Sequence, residues 1–95
     1  MNRNKDAKNT EIENLSEVLY NSKSASCVCD FLLELLTKSE LETLSKRWRI
    51  LSMLAEGKTQ REIAQDLKVS LCKVTRGAKI LKDNKSVIKK YLIKE

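Results

Sequence analysis

The chain has 95 residues, 41% of them hydrophobic and 34% charged, which suits one small folded domain (residues 1–95) and excludes a disordered polyelectrolyte. It contains no proline and only two glycines, and 4% of its residues are aromatic, so turn-rich sheet folds are disfavoured and an all-α fold with an aliphatic core is expected. The net charge of +6 is uneven: from Lys58 to Glu95 there are eleven Lys and Arg against four Asp and Glu, leaving about −1 on the first 57 residues. A basic half on a neutral half points to a polyanion such as double-stranded DNA.

The polar start MNRNKDAKNTEIENL lacks the apolar stretch of a signal peptide. The run FLLELL at 31–36 is too short to span a bilayer. No membrane partner and a cytoplasmic location are therefore expected. Cys27, Cys29 and Cys72, with no histidine, make a poor zinc set, and the expectation is three reduced, mostly buried thiols and no metal site.

Six helices are read in chain order. Thr10 with Glu13 has the form of a capping box and opens the first, with the stripe Ile12, Leu15, Val18 and Leu19. A serine-rich break from Asn21 to Ser26 precedes a second, about 25–35, carrying Val28, Phe31, Leu32 and Leu35. Thr37 with Glu40 opens a long third helix with Leu41, Leu44, Trp48, Leu51 and Leu54, capped by Gly57. Ser39 with Glu42 repeats the pattern inside its first turn and reads as chance. Thr59 with Glu62 opens a short helix over 60–67. Ser70 caps a helix over 71–82, and Ser86 starts a last one with Val87, Ile88, Tyr91 and Leu92.

TQREIAQDLKVSLCKVTRG has the spacing of a helix-turn-helix, placed at about 59–82. Ala64 is the small residue at the helix crossing, Leu67 and Val69 flank the turn, and Val74 anchors the second helix. Lys68 occupies the turn position that glycine often fills. The outward face of the second helix then shows Leu71, Cys72, Lys73, Thr75 and Arg76, with Lys79 further on. Lysine and arginine there reach guanine or phosphate, and threonine reaches phosphate or a thymine methyl. Gln60 and Arg61, at the start of the preceding helix, suit phosphate. An ordinary helical hairpin would share the spacing but has no need of the basic face.

The stretch from Leu36 to Lys82 resembles the Trp repressor superfamily, through LT-x-x-E, R-x-R-I, L-x-x-G-x-x-QRE and VTRG. The resemblance implies a six-helix, intertwined homodimer with two helix-turn-helix heads, acting as a transcriptional repressor and nucleoid-associated when bound to DNA. It also implies a place for L-tryptophan or a related small amino acid as corepressor, with Thr37, Arg47, Arg76 and Gly77 at the matching positions. A guanidinium there would pair with a carboxylate, another would stack on an indole, and Gly77 would leave room for a flat ring.

Two features depart from the tryptophan-binding pattern. Ile80 stands where those members have serine. The link GKTQRE is one residue shorter than their GEMSQRE-like segment, and in this the chain is more similar to the YerC/YecD branch, which implies a ligand-independent regulator. Each ligand residue also has a plain structural use: Thr37 as a cap, Arg47 in a solvated stripe, Arg76 on phosphate, Gly77 in close helix packing. Trp48 reads as core or dimer interface. An enzyme is not expected, because histidine, a glycine-rich phosphate loop and a spaced carboxylate pair are all missing. The competing class is a helical interaction module whose basic face meets an acidic protein.

Overall fold

The computed structural model describes residues 9–93; the outermost residues of the expected 1–95 domain lie outside it. The described residues form α1 (Thr10–Tyr20), α2 (Ala25–Leu35), α3 (Lys38–Ala55), α4 (Gln60–Leu67), α5 (Leu71–Lys82) and α6 (Val87–Leu92), with no strand among them. The chain divides into two compact units, Met1–Thr37 and Lys38–Glu95.

In the first unit α1 is capped one residue earlier than the sequence suggests. The Asn9 side chain accepts from the backbone N–H groups of Glu11 and Ile12 at 3.0 and 3.1 Å. Asparagine is a stronger cap than threonine, so it takes the position and Thr10 becomes the first helical residue. The Ser24 hydroxyl caps α2 by accepting from Cys27 N–H. Neither helix has a buried residue, and Ile12, Val18, Leu33 and Leu35 are all more than half exposed.

In the second unit α5 packs against α3, α4 and α6, and α3 also packs against α4. The core is Ile50 and Met53 of α3, Ile63 of α4 and Val74 of α5, with Leu54, Ala64, Leu67 and Val69 packed around it. The helix-turn-helix residues read from the sequence therefore hold their expected places. The stripe expected on α3 holds only at its C-terminal end: Leu54 packs on the core, Leu44 and Trp48 are about half exposed, and the buried positions are Ile50, Leu51 and Met53. All three lie in the last third of α3, whose N-terminal half is exposed apart from the half-buried Leu41. Trp48 is accordingly not part of this core.

Two helices of this unit end in the same way. At the end of α3, Lys58 N–H donates to Met53 O and Gly57 N–H to Leu54 O, with Gly57 at φ 99°. At the end of α4, Val69 N–H donates to Ala64 O and Lys68 N–H to Gln65 O, with Lys68 at φ 55°. Both are Schellman closures, which need a left-handed residue. Glycine takes that conformation freely, whereas a lysine is held there by the turn.

The thiols depart from expectation: Cys27, Cys29 and Cys72 are all exposed. Cys72 lies two residues before the fully buried Val74, about 200° round the helix, so it faces out where Val74 faces in. Cys27 and Cys29 flank the half-buried Val28 of α2, each about 100° round the helix from it.

Candidate nucleic-acid interface

The site is built on α4 and α5. Thr59 and Glu62 form the expected capping box: Glu62 N–H donates to Thr59 Oγ1 at 3.1 Å, and Thr59 N–H donates to Glu62 Oε1 at 2.9 Å. The backbone hydrogen bond from Thr59, and then that from its side chain, hold the Glu62 carboxyl below its ordinary pKa. This fixes the start of α4, and with it Gln60 (half-buried) and Arg61 (exposed). Ser70 Oγ accepts from Lys73 N–H and starts α5.

Along α5 the buried positions are Val74, Gly77, Ala78 and Leu81. The exposed ones are Leu71, Cys72, Lys73, Thr75, Arg76, Lys79 and Lys82, and the first six are the outward face the sequence defines. Leu71, Cys72, Thr75, Arg76 and Lys79 together line a shallow depression of about 280 Å³. Their numbering explains its shape. Leu71, Thr75 and Lys79 form one row at four-residue spacing, Cys72 and Arg76 form the next, and the depression is the groove between these rows. Lys73 lies off the groove, on the same exposed surface.

One contact ties the two helices together on this side: the Thr75 hydroxyl donates to Gln60 Oε1 at 2.9 Å. With its oxygen engaged, the Gln60 amide keeps its N–H donors for another partner. The sequence marks both residues as DNA-facing but carries no sign of a bond across fifteen positions.

The residues considered for a ligand are not gathered around this depression. Arg76 lines it, while Arg47 is exposed on α3 and lies outside its lining. Thr37 ends the first unit. Gly77 faces α3: a Cβ built there would lie 3.0 Å from Ile50 Cγ2, 3.4 Å from Leu54 Cδ1 and 3.6 Å from Leu51 Cδ2. Of the two uses the sequence offers for Gly77, close helix packing is present: the missing side chain lets α5 approach Ile50, Leu51 and Leu54 of α3. Ile80 is half-buried. Among the described residues no group of three or more His, Cys, Asp or Glu is placed to hold a metal ion, and no helix is long and apolar enough to cross a membrane.

The sequence matches the Trp repressor protein family over residues 10–95. The chain belongs to the Trp repressor family. It is 40% identical over 84 residues to the Trp operon repressor homolog of Xylella fastidiosa strain Temecula1, covering 87% of this chain and 89% of that protein. It is 39% identical over 71 residues to the Trp operon repressor homolog of Chlamydia caviae, covering 74% and 70% of the two chains. The counterpart in Chlamydia trachomatis serovar D is 41% identical over 61 residues, covering 63% and 65%. No solved structure gives a significant match. Trp repressor family proteins are DNA-binding transcription regulators rather than enzymes, and this chain is accordingly a DNA-binding transcriptional regulator.

Proposed function

We propose that the protein is a repressor that binds a two-fold-related operator as a homodimer, each copy presenting one helix-turn-helix head, and that it works in the cytoplasm at the nucleoid. The observation that carries this reading is the outward face of α5. Its first three turns expose Lys73, Arg76 and Lys79 and give no outward side chain to the core. A helix with cations at this end, packed on a capped partner helix, suits entry into the major groove. The homodimer is supported by α1 and α2, whose apolar side chains are left exposed by a chain too small to cover them.

Selection from a random duplex pool, followed by binding measurements across salt, tests the operator. Enrichment of a two-fold-related sequence, with affinity falling steeply with salt, is expected. Equal binding to all duplexes would overturn the reading. Sedimentation is expected to give a dimer, and a folded monomer would refute that part.

The proposed corepressor is L-tryptophan or a related amino acid. It is supported by the family resemblance and by the exposed Arg76 guanidinium, which suits a carboxylate. Ile80 offers no hydrogen bond to an amino group, so binding weaker than in members with serine there is expected. Calorimetric titration of L-tryptophan should give heat that disappears in Arg76→Ala. Absence of heat at millimolar ligand would leave a ligand-independent repressor.

A further inference from the structure

We infer that the groove along α5 reads thymine by its methyl group, with Leu71, Cys72 and the Thr75 methyl as the reading surface and Arg76 and Lys79 as the phosphate-facing end. The inference rests on the operator-binding reading above and names what the operator must contain.

Three observations carry it. The groove changes character along its length. Leu71, about half exposed, and the exposed Cys72 make its N-terminal end apolar, and Arg76 and Lys79 make the other end cationic. From Leu71 to Lys79 the helix rises about 12 Å, so one end can lie on base edges while the other stays near the backbone. The N-terminal end of a recognition helix is the end that enters the major groove.

Within the groove, the side chains at that end offer little hydrogen bonding to bases. Leu71, Cys72, Lys73 and Val74 include no Asn, Gln, Asp, Glu or Arg, and Lys73 lies outside the groove. The one strong hydrogen-bonding group next along, the Thr75 hydroxyl, is engaged by Gln60 Oε1 at 2.9 Å. With its hydroxyl turned to α4, Thr75 contributes its methyl to the groove.

The matching surface on DNA is specific. Among the four bases only thymine carries an apolar group on its major-groove edge, the C5 methyl. An apolar groove end flanked by cations fits a methyl-bearing base beside its own phosphate.

The test starts from the duplex enriched by selection. Uracil is put in place of thymine at each position, in both half-sites, which removes only the methyl. At one or two positions the affinity is expected to fall about three- to fivefold per half-site, the effect of one buried methyl. Thr75→Ser keeps the hydroxyl bonded to Gln60 and loses the methyl, so the thymine-to-uracil ratio should move towards one at one position. Thr75→Val keeps the methyl and should leave that ratio unchanged. In an iodoacetamide footprint mapped by mass spectrometry, the selected duplex should shield Cys72 and a random duplex should shield it less.

A preferred duplex that is indifferent to uracil at every position overturns this inference alone. So does a Thr75→Ser protein with the full ratio, or a Cys72 shielded equally by any duplex, which would put phosphate in the groove. A pool that yields no preferred duplex overturns the operator reading itself and this inference with it.

Discussion

Thr75 and Gln60 are joined by a 2.9 Å hydrogen bond that sets the second helix of the helix-turn-helix against the first. The bond is exposed, so it adds little to folding. Its effect is on aim: it engages the Gln60 oxygen and so orients the amide that the proposed DNA-binding mode sets against a phosphate. Thr75→Val removes the bond at nearly constant shape. Stability should change by less than about 1 kcal/mol, while affinity should drop about three- to tenfold, by the same factor on selected and random duplexes. Fluorescence anisotropy on both duplexes, with urea unfolding alongside, measures the two effects. Adding Gln60→Ala to Thr75→Val should cost little more, because the two residues act as a unit.

Gly77→Ala tests the crossing of α5 on α3. Alanine gains about 1 kcal/mol in helix propensity. The new methyl would meet Ile50 Cγ2 at 3.0 Å, and that atom is on a β-branched side chain only 3% exposed, so it has little freedom to move. Crowding of this kind costs about 1–3 kcal/mol, so the net result is a protein less stable by about 1 kcal/mol. In an Ile50→Ala background the same change should turn stabilising. Urea midpoints of the four proteins decide it.

Glu62 gives stability an acid limb. Its folded-state pKa lies below the ordinary 4.5 because the Thr59 backbone N–H, then the Thr59 hydroxyl, favour the charged form, with Lys58 adding a little. Protonation therefore favours the unfolded chain. The contribution is full above the unfolded value and is lost as pH falls through the lower folded one. Glu62→Gln keeps an oxygen for the Thr59 N–H but cannot titrate. Melting temperatures from pH 7 to pH 2 should fall less steeply below about pH 4.5 in the variant than in the parent.

Lys68→Gly relieves the left-handed residue at φ 55° that closes α4. A side chain there costs about 1–2 kcal/mol, partly offset by the greater freedom of glycine in the unfolded chain. A net gain of about 0.5–1 kcal/mol is expected, measurable as a higher urea midpoint with an unchanged slope.

The helix-turn-helix was readable because its signals are local. The Thr59–Glu62 box, the Ser70 cap, and Leu67 and Val69 about the turn each act over a few residues, and local hydrogen bonding enforces them. Lys68 announced its own oddity by standing where glycine usually does. The middle of α3 is harder to read for the opposite reason. Leu44 and Trp48 sit at proper helical spacing, but spacing reports that a face is apolar, not whether this chain supplies its cover. Burial of the cysteines was likewise assumed from residue type, whereas a 200° turn from Val74 decides it for Cys72. At Gly77 the sequence could not tell a cleft from a close crossing, because both need the same missing side chain. The position of Ile50 shows the close crossing.

The division of α5 into a packing face and a reading face has a consequence for how such a regulator can change. Val74, Gly77, Ala78 and Leu81 hold the helix in place, and of the outward six residues only Thr75, through its bond to Gln60, shares that task. A substitution at Leu71, Cys72 or Lys79 therefore alters what the helix prefers without touching what keeps it folded. Lineages can move from one target sequence to another through intermediates that all remain folded, and an engineer can rewrite the five outward positions other than Thr75 on an unchanged scaffold.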